Sequence, residues 1–286
     1  MIGLDLTKKE GLIVLASIKV DIKQLLEAGA HFGHKTSRWH PRMAPYIHSK
    51  REGSHIIDLT KTIESLDNAL AFLTDVTAQG KKVLLVGTKR QARDAIKAIA
   101  EDTGMPYVTQ RWLGGMLTNQ NTIGSRIRQL KELERRMENG ELAAKYGKLE
   151  VQRFLEEIEA MNHLYGGIKD MDGLPAAVFV ADTITDYIPI REARRLNIPV
   201  VAVVDTNSDP SMIAYPIPAN DDAIKTIELI LDYVKEAILA GKAKVKAPAK
   251  AADAKPEEET KRTAVKEEKK PTEADKASAA PVRGIG

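Results

Sequence analysis

Lys81-Lys82-Val83-Leu84-Leu85-Val86-Gly87-Thr88-Lys89-Arg90 is the stretch that decides the fold class. Two lysines lead four consecutive apolar residues, and a glycine ends the run, which is how a strand buried on both faces reads. A basic turn follows, and then a helical pattern to Ala100. Strand, tight turn and helix make a parallel α/β unit, and the start of its helix favours anions. The turn lacks both the Gly-x-x-x-x-Gly-Lys-Ser/Thr and the Gly-x-Gly-x-x-Gly spacing, so no nucleotide-binding loop is predicted. Downstream, Tyr107 and Val108 read as a short strand. Ala176 to Ala181 and Val200 to Val204 read as two more buried strands, ending in Asp182 and Asp205, with a helix around Ile190 to Leu196 between them.

Working outward, Val20 to Ala28 reads as a helix with Ile22, Leu25 and Leu26 on one face, Asp21 as N-cap and Gly29 as stop. Tyr46 to His48 and His55 to Ile57 read as a hairpin around Lys50, Arg51 and Gly53. Leu59 to Ala78 carries Ile63, Leu66, Leu70, Leu73 and Val76 as one buried helical stripe. A last helix is predicted from Asp221 or Asp222, as N-cap, to about Ala240. Residues 123–165 break the α/β rhythm. Ile123, Ile127, Leu130 and Met137 form one apolar seam and Val151, Phe154, Ile158, Met161 and Tyr165 a second, with Asn139-Gly140 between them. The pattern predicts an antiparallel helical hairpin projecting from an α/β domain made of residues 20–122 and 166–240. Residues 1–19 are an uninformative extension. Lys8 and Lys9 before Leu12 to Ile18 resemble a signal peptide only faintly, because charge returns at Lys19, and no export is predicted. Residues 241–286 are predicted to be a disordered tail: from Ala247 onward there is no Leu, Phe, Tyr, Trp or Met to build a core.

Charge points to the partner. The net charge of the 286 residues is only +3, yet it is unevenly spread. His31 to Arg51 holds Lys35, Arg38, Arg42, Lys50 and Arg51 without an acid; Arg111 to Lys131 holds Arg111, Arg126, Arg128 and Lys131, again without one. Two single-sign stretches create a local field that the total conceals. Within the second, Arg111-Trp112-Leu113-Gly114-Gly115-Met116-Leu117-Thr118-Asn119 sets a cation and an indole beside glycines that free the backbone, then a row of neutral hydrogen-bonding side chains. Charge for phosphate, a flat ring for a base and amides for edges and 2'-hydroxyls suit single-stranded or distorted RNA. Trp112 is either such a ring or core, and Trp39 is either packed or stacking. The RNA-binding candidates are therefore Lys35, Arg38, Trp39, Arg42, Lys50, Arg51, Arg111, Trp112, Asn119, Arg126 and Arg128. His31 and His34 are two potential zinc ligands with no third, so no metal or other cofactor is predicted. The absence of cysteine suits a reducing cytoplasm, and no run is long enough for a membrane span.

From about Val20 to Leu239 the sequence resembles the bacterial small-subunit ribosomal protein two family. Four blocks carry the likeness: His31 to Met43; Ile56-Ile57-Asp58-Leu59 with Lys61-Thr62; Arg111 to Asn119; and Asp205-Thr206-Asn207 running through Pro216-Ile217-Pro218 to Asn220-Asp221-Asp222-Ala223-Ile224. Val86 to Gln91 and Gly166 to Met171 support it. His40, where the family usually has Asn, and Ala219, where Gly is common, depart from it, and Ile184 to Arg191 matches poorly. The resemblance implies a flavodoxin-like α/β/α domain with an inserted helical hairpin. It also implies a structural role without catalysis, on small-subunit rRNA between head and body, helping to anchor small-subunit ribosomal protein one among other small-subunit proteins. A rival reading is a small-molecule enzyme or binding module, with Thr88, Asp182, Asp205 and Asn207 lining a crevice at the strand ends. No nucleophile and base accompany them.

Overall fold

The computed structural model describes residues 20–246. At its centre, β4 (Val83–Val86), β5 (Tyr107–Val108), β6 (Ala177–Val180), β7 (Val200–Val204) and β8 (Tyr215–Pro218) form one sheet in the order β5-β4-β6-β7-β8. Every neighbouring pair is parallel. The continuous apolar runs are explained by burial on both faces. Val83, Leu85, Ala177, Phe179, Val201 and Val203 point into one core, and Leu84, Val86, Val178, Val180, Ala202 and Val204 into a second on the opposite side. The first core is closed by α2 (Leu59–Ala78), α3 (Arg93–Thr103) and α8 (Ile224–Lys246). The second is closed by α7 (Tyr187–Arg195) and by the loop that contains Trp112, Met116 and Leu117.

Strand β8 was not anticipated, because Pro216 and Pro218 interrupt its pattern. Two of its four residues offer no N–H, and such a strand is tolerated at a sheet edge, where β8 lies. At the other edge β5 is only two residues long, and Gly167 is pressed so close to Tyr107 that a Cβ there would lie 2.2 Å from the Tyr107 carbonyl oxygen. Helix α7 starts three residues before the predicted Ile190; Pro189 lies in its first turn, where a missing N–H costs nothing.

Helix α8 corrects two expectations. Asp221 and Asp222 do not cap it; Asn220 Oδ1 accepts the Asp222 and Ala223 N–H groups, and the Ala223 carbonyl opens the helix. Nor does it stop at Ala240. Gly241, read as the start of the tail, is a helical residue where α8 crosses α2, and a Cβ on it would lie 1.9 Å from Thr77 Oγ1. The expectations for residues 1–19 and 247–286 fall outside the described residues.

A second, three-stranded antiparallel sheet consists of β1 (Phe32–Lys35), β2 (Ile47–Arg51) and β3 (Ser54–Ile57), ordered β1-β3-β2. β2 and β3 form the predicted hairpin, turned by Glu52 and Gly53 at φ 50° and 75°, the left-handed pair that a two-residue hairpin loop requires. β1 lies in a stretch read only for its side chains. Before it runs α1 (Ile22–Glu27), capped by Asp21 as expected. Of its apolar face only Leu25 is buried, while Ile22 and Leu26 are exposed.

The insertion contains three helices rather than two: α4 (Gln120–Glu138), the short α5 (Glu141–Lys145) where a turn was expected, and α6 (Lys148–Tyr165). Leu142 of α5 is completely buried, and so is Leu130 of α4; Leu133, outside the predicted seam, is buried too. The second seam lies on α6 but is only half-buried. Gln129 donates to Glu157, and Asn162 donates to Glu134.

Candidate nucleic-acid interface

The loop from Arg111 to Asn119 is shaped by Gly115 and by one carboxylate. Gly115 has φ +94°, and a Cβ there would approach Asn119 Cβ to 3.1 Å; Gly114 has no such constraint. Glu192, on α7, reaches into the loop. Its Oε1 accepts from Trp112 Nε1 at 3.1 Å and from the Gly115 N–H at 2.7 Å. Its Oε2 accepts from the N–H groups of Leu117 and Thr118 and from Thr118 Oγ1, at 3.0 to 3.1 Å. Burial alone would raise its pKa, but the bonds from Gly115, Trp112, Leu117 and Thr118 outweigh it and hold the carboxyl below the usual glutamate range. Trp112 is 7% exposed and belongs to the second core with Met116 and Leu117. No open face is left on which a base could stack, which corrects its placement among the stacking candidates. Arg111, Thr118 and Asn119 remain exposed, and Asn119 caps α4 through the Thr122 N–H. Arg126 and Arg128 are exposed on α4.

The other acid-free run decorates the small sheet. Lys35, Arg38, Lys50 and Arg51 are all exposed. Trp39 is half-buried, its ring 5.2 Å from His55 and 6.0 Å from Lys50 Nζ. Arg42 is exposed as well, but it is bound to Asp209 at 2.8 Å and to Ser211. Thr206 ties this region to the end of β7: its hydroxyl accepts the His34 N–H and its carbonyl accepts the His40 N–H. Met43 then plugs into the same core that holds Trp112, Met116, Leu117 and Ile123. Two basic stretches distant in sequence are thus rooted on one face of the central sheet.

Beyond the strand ends lies a charged cluster that the sequence did not assemble. Lys89 meets Asp182 at 3.3 Å, Asp221 at 2.9 Å and Asp222 at 2.7 Å. Burial lowers the pKa of its ammonium, but its bonds to Asp222 and Asp221 more than reverse that and leave it above the ordinary lysine value. Burial, with repulsion from Asp182 and Asp205, raises the Asp221 pKa to about 7 despite Lys89. His34 stands 3.0 Å from Asp205 and 3.4 Å from Asp222, and its hydrogen bond to Asp205 raises its pKa. His34, Asp221 and Asp222 offer donor atoms within 4.8 Å of one another, so the third ligand that His34 lacked in sequence is supplied by the fold, whereas His31 takes no part. Both carboxylates are already bound by the Lys89 ammonium. Asp182 caps the following turn through the Ile184 and Thr185 N–H groups, and Thr88 is bound to Asp186. Asp205 is held by His34 and Thr206, and Asn207 accepts from Ser208 Oγ, so each supposed crevice residue is engaged by other groups of the chain.

A family model described as ribosomal protein S2 matches residues 25–241. The chain is 52% identical to the small ribosomal subunit protein uS2 of Coprothermobacter proteolyticus over 223 residues, covering 78% of this chain and 83% of that one. It is 48% identical to uS2 of Fusobacterium nucleatum over 222 residues, covering 78% and 90%. The chain belongs to the ribosomal protein S2 family.

As an S2-family member it is a non-catalytic structural protein of the small ribosomal subunit, acting in translation. That disposes of the enzyme reading, and the cluster around Lys89 needs no reaction to explain it. Among the described residues no helix is long and apolar enough to cross a membrane. Glu192 escaped the sequence reading because it lies among Arg191, Arg194 and Arg195, far along the chain from the loop it binds. Its only signal was an acid on the core-facing side of an amphipathic helix, beside Ala193.

Proposed function

We propose that this S2-family chain binds small-subunit rRNA between head and body of the subunit in the cytoplasm, through Lys35, Arg38, Arg42, Lys50, Arg51, Arg111, Arg126 and Arg128. Trp39 and Asn119 supply the uncharged contacts, and Trp112 supports the loop from below. The carrying observation is the common root of the two acid-free stretches in one core: cations from both can meet a single RNA surface, and no acid in either stretch repels its phosphates. The strand order, 2-1-3-4-5 when the five strands are counted along the chain, supports reading the body as flavodoxin-like. The insertion of α4, α5 and α6 extends the contact area. Anchoring of small-subunit ribosomal protein one rests on the family likeness alone. The test is reconstitution. Added to small subunits depleted of it, the chain should cosediment with them and restore binding of protein one. Failure to cosediment would overturn the rRNA reading, and cosedimentation without protein one would overturn the anchoring.

A further inference from the structure

We propose that Glu192 is a positioning residue: an internal anion that holds the Arg111–Asn119 loop in its RNA-binding shape before RNA arrives. The inference rests on the rRNA reading above and deepens it. An acid within a basic surface would ordinarily weaken phosphate binding. Here Glu192 as a residue is 8% exposed, and its carboxylate oxygens take five hydrogen bonds from one loop. Three come from backbone N–H groups, which converge only when the chain turns at Gly115 with its left-handed φ. Unliganded, such convergent donors would attract a solvent anion or fall apart. Glu192 fills the place from within, so its charge is consumed by the loop and does not face the RNA. What the RNA then meets is a preformed rim of Arg111, Thr118 and Asn119, whose ordering cost was met on folding.

The fit is specific to a carboxylate. Every group facing the two oxygens is a donor: the Trp112 indole, the Thr118 hydroxyl and three amides. Glu192→Gln would put an NH2 group against at least two of them while keeping size and shape almost unchanged. Thr118→Val is a milder lesion, removing only the hydroxyl donor.

The experiment pairs amide hydrogen exchange of the full-length free protein with filter binding to purified small-subunit rRNA across a salt series. In Glu192→Gln, exchange at Gly115, Leu117 and Thr118 is expected to accelerate at least about tenfold, with β4 and β6 amides unchanged. Affinity for rRNA should fall about tenfold or more while the salt slope stays parental, because no phosphate-binding cation is lost. Arg111→Ala is the converse control, lowering the slope by about one and leaving loop exchange untouched. If Glu192→Gln unfolds globally, Thr118→Val should show the same pattern on a smaller scale. Loop amides that stay protected, or parental rRNA affinity with a mobile loop, would overturn the assignment. A parent protein with no affinity for rRNA would overturn the RNA reading itself, which a change confined to the variant does not.

Discussion

The residues that matter most in this protein are those whose chemistry is turned inward. Trp112 is expected to behave as core: Trp112→Ala should cost about 3–5 kcal/mol in urea unfolding, since it removes a buried ring and leaves Glu192 short of a donor. Parental stability with weakened rRNA binding would return the indole to the surface. Lys89 is the cation that lets Asp182, Asp221 and Asp222 approach one another. Lys89→Met should lose about 3–5 kcal/mol, since breaking a buried ion pair strands its partners. Glu192 also sets a pH dependence. Its folded pKa lies below the ordinary value of 4.5, so its stabilising share is complete above that value and is lost as pH falls through the folded pKa. Acid unfolding of the parent should therefore be steeper below pH 4.5 than that of Glu192→Gln, as a melting series from pH 3 to 7 would record.

At the scale of elements, what could be read and what could not divide by how local the cause is. The buried strands β4, β6 and β7 were legible because four or five apolar residues between turn signals need no tertiary knowledge. The hairpin of β2 and β3 was legible from Gly53. Strand β8 was hidden because its prolines are acceptable only at an edge, and an edge is a property of the assembled sheet. The end of α8 was misplaced for a similar reason. Gly241 looked like a helix stop, but it is there because Thr74 and Thr77 of α2 leave no room for a side chain. Gly241→Ala, favourable by helix propensity, is accordingly expected to destabilise the protein by about 1–3 kcal/mol through overpacking. A rise in melting temperature would refute that contact. The exposed cations could be read directly, since a lysine or arginine without an acid nearby in sequence tends to reach solvent. The cluster of His34, Lys89, Asp182, Asp205, Asp221 and Asp222 could not, because it gathers five segments, β1 and the residues after β4, β6, β7 and β8, that only the assembled fold brings together.

For the molecule as a whole, affinity should be governed by charge spread over both basic stretches. If about six of the eight exposed cations each neutralise a phosphate, rRNA affinity should fall on the order of a thousandfold between 50 and 200 mM salt. Arg38→Ala or Arg126→Ala should each lower the slope by about one. An affinity indifferent to salt would overturn the electrostatic account. Arg42→Ala should change the slope least, because Asp209 already shares that charge. The blunted borders of the central sheet have their own consequence for self-association. With prolines on one border and a two-residue strand under Gly167 on the other, neither side of the central sheet offers a ready template on which a second copy could continue it.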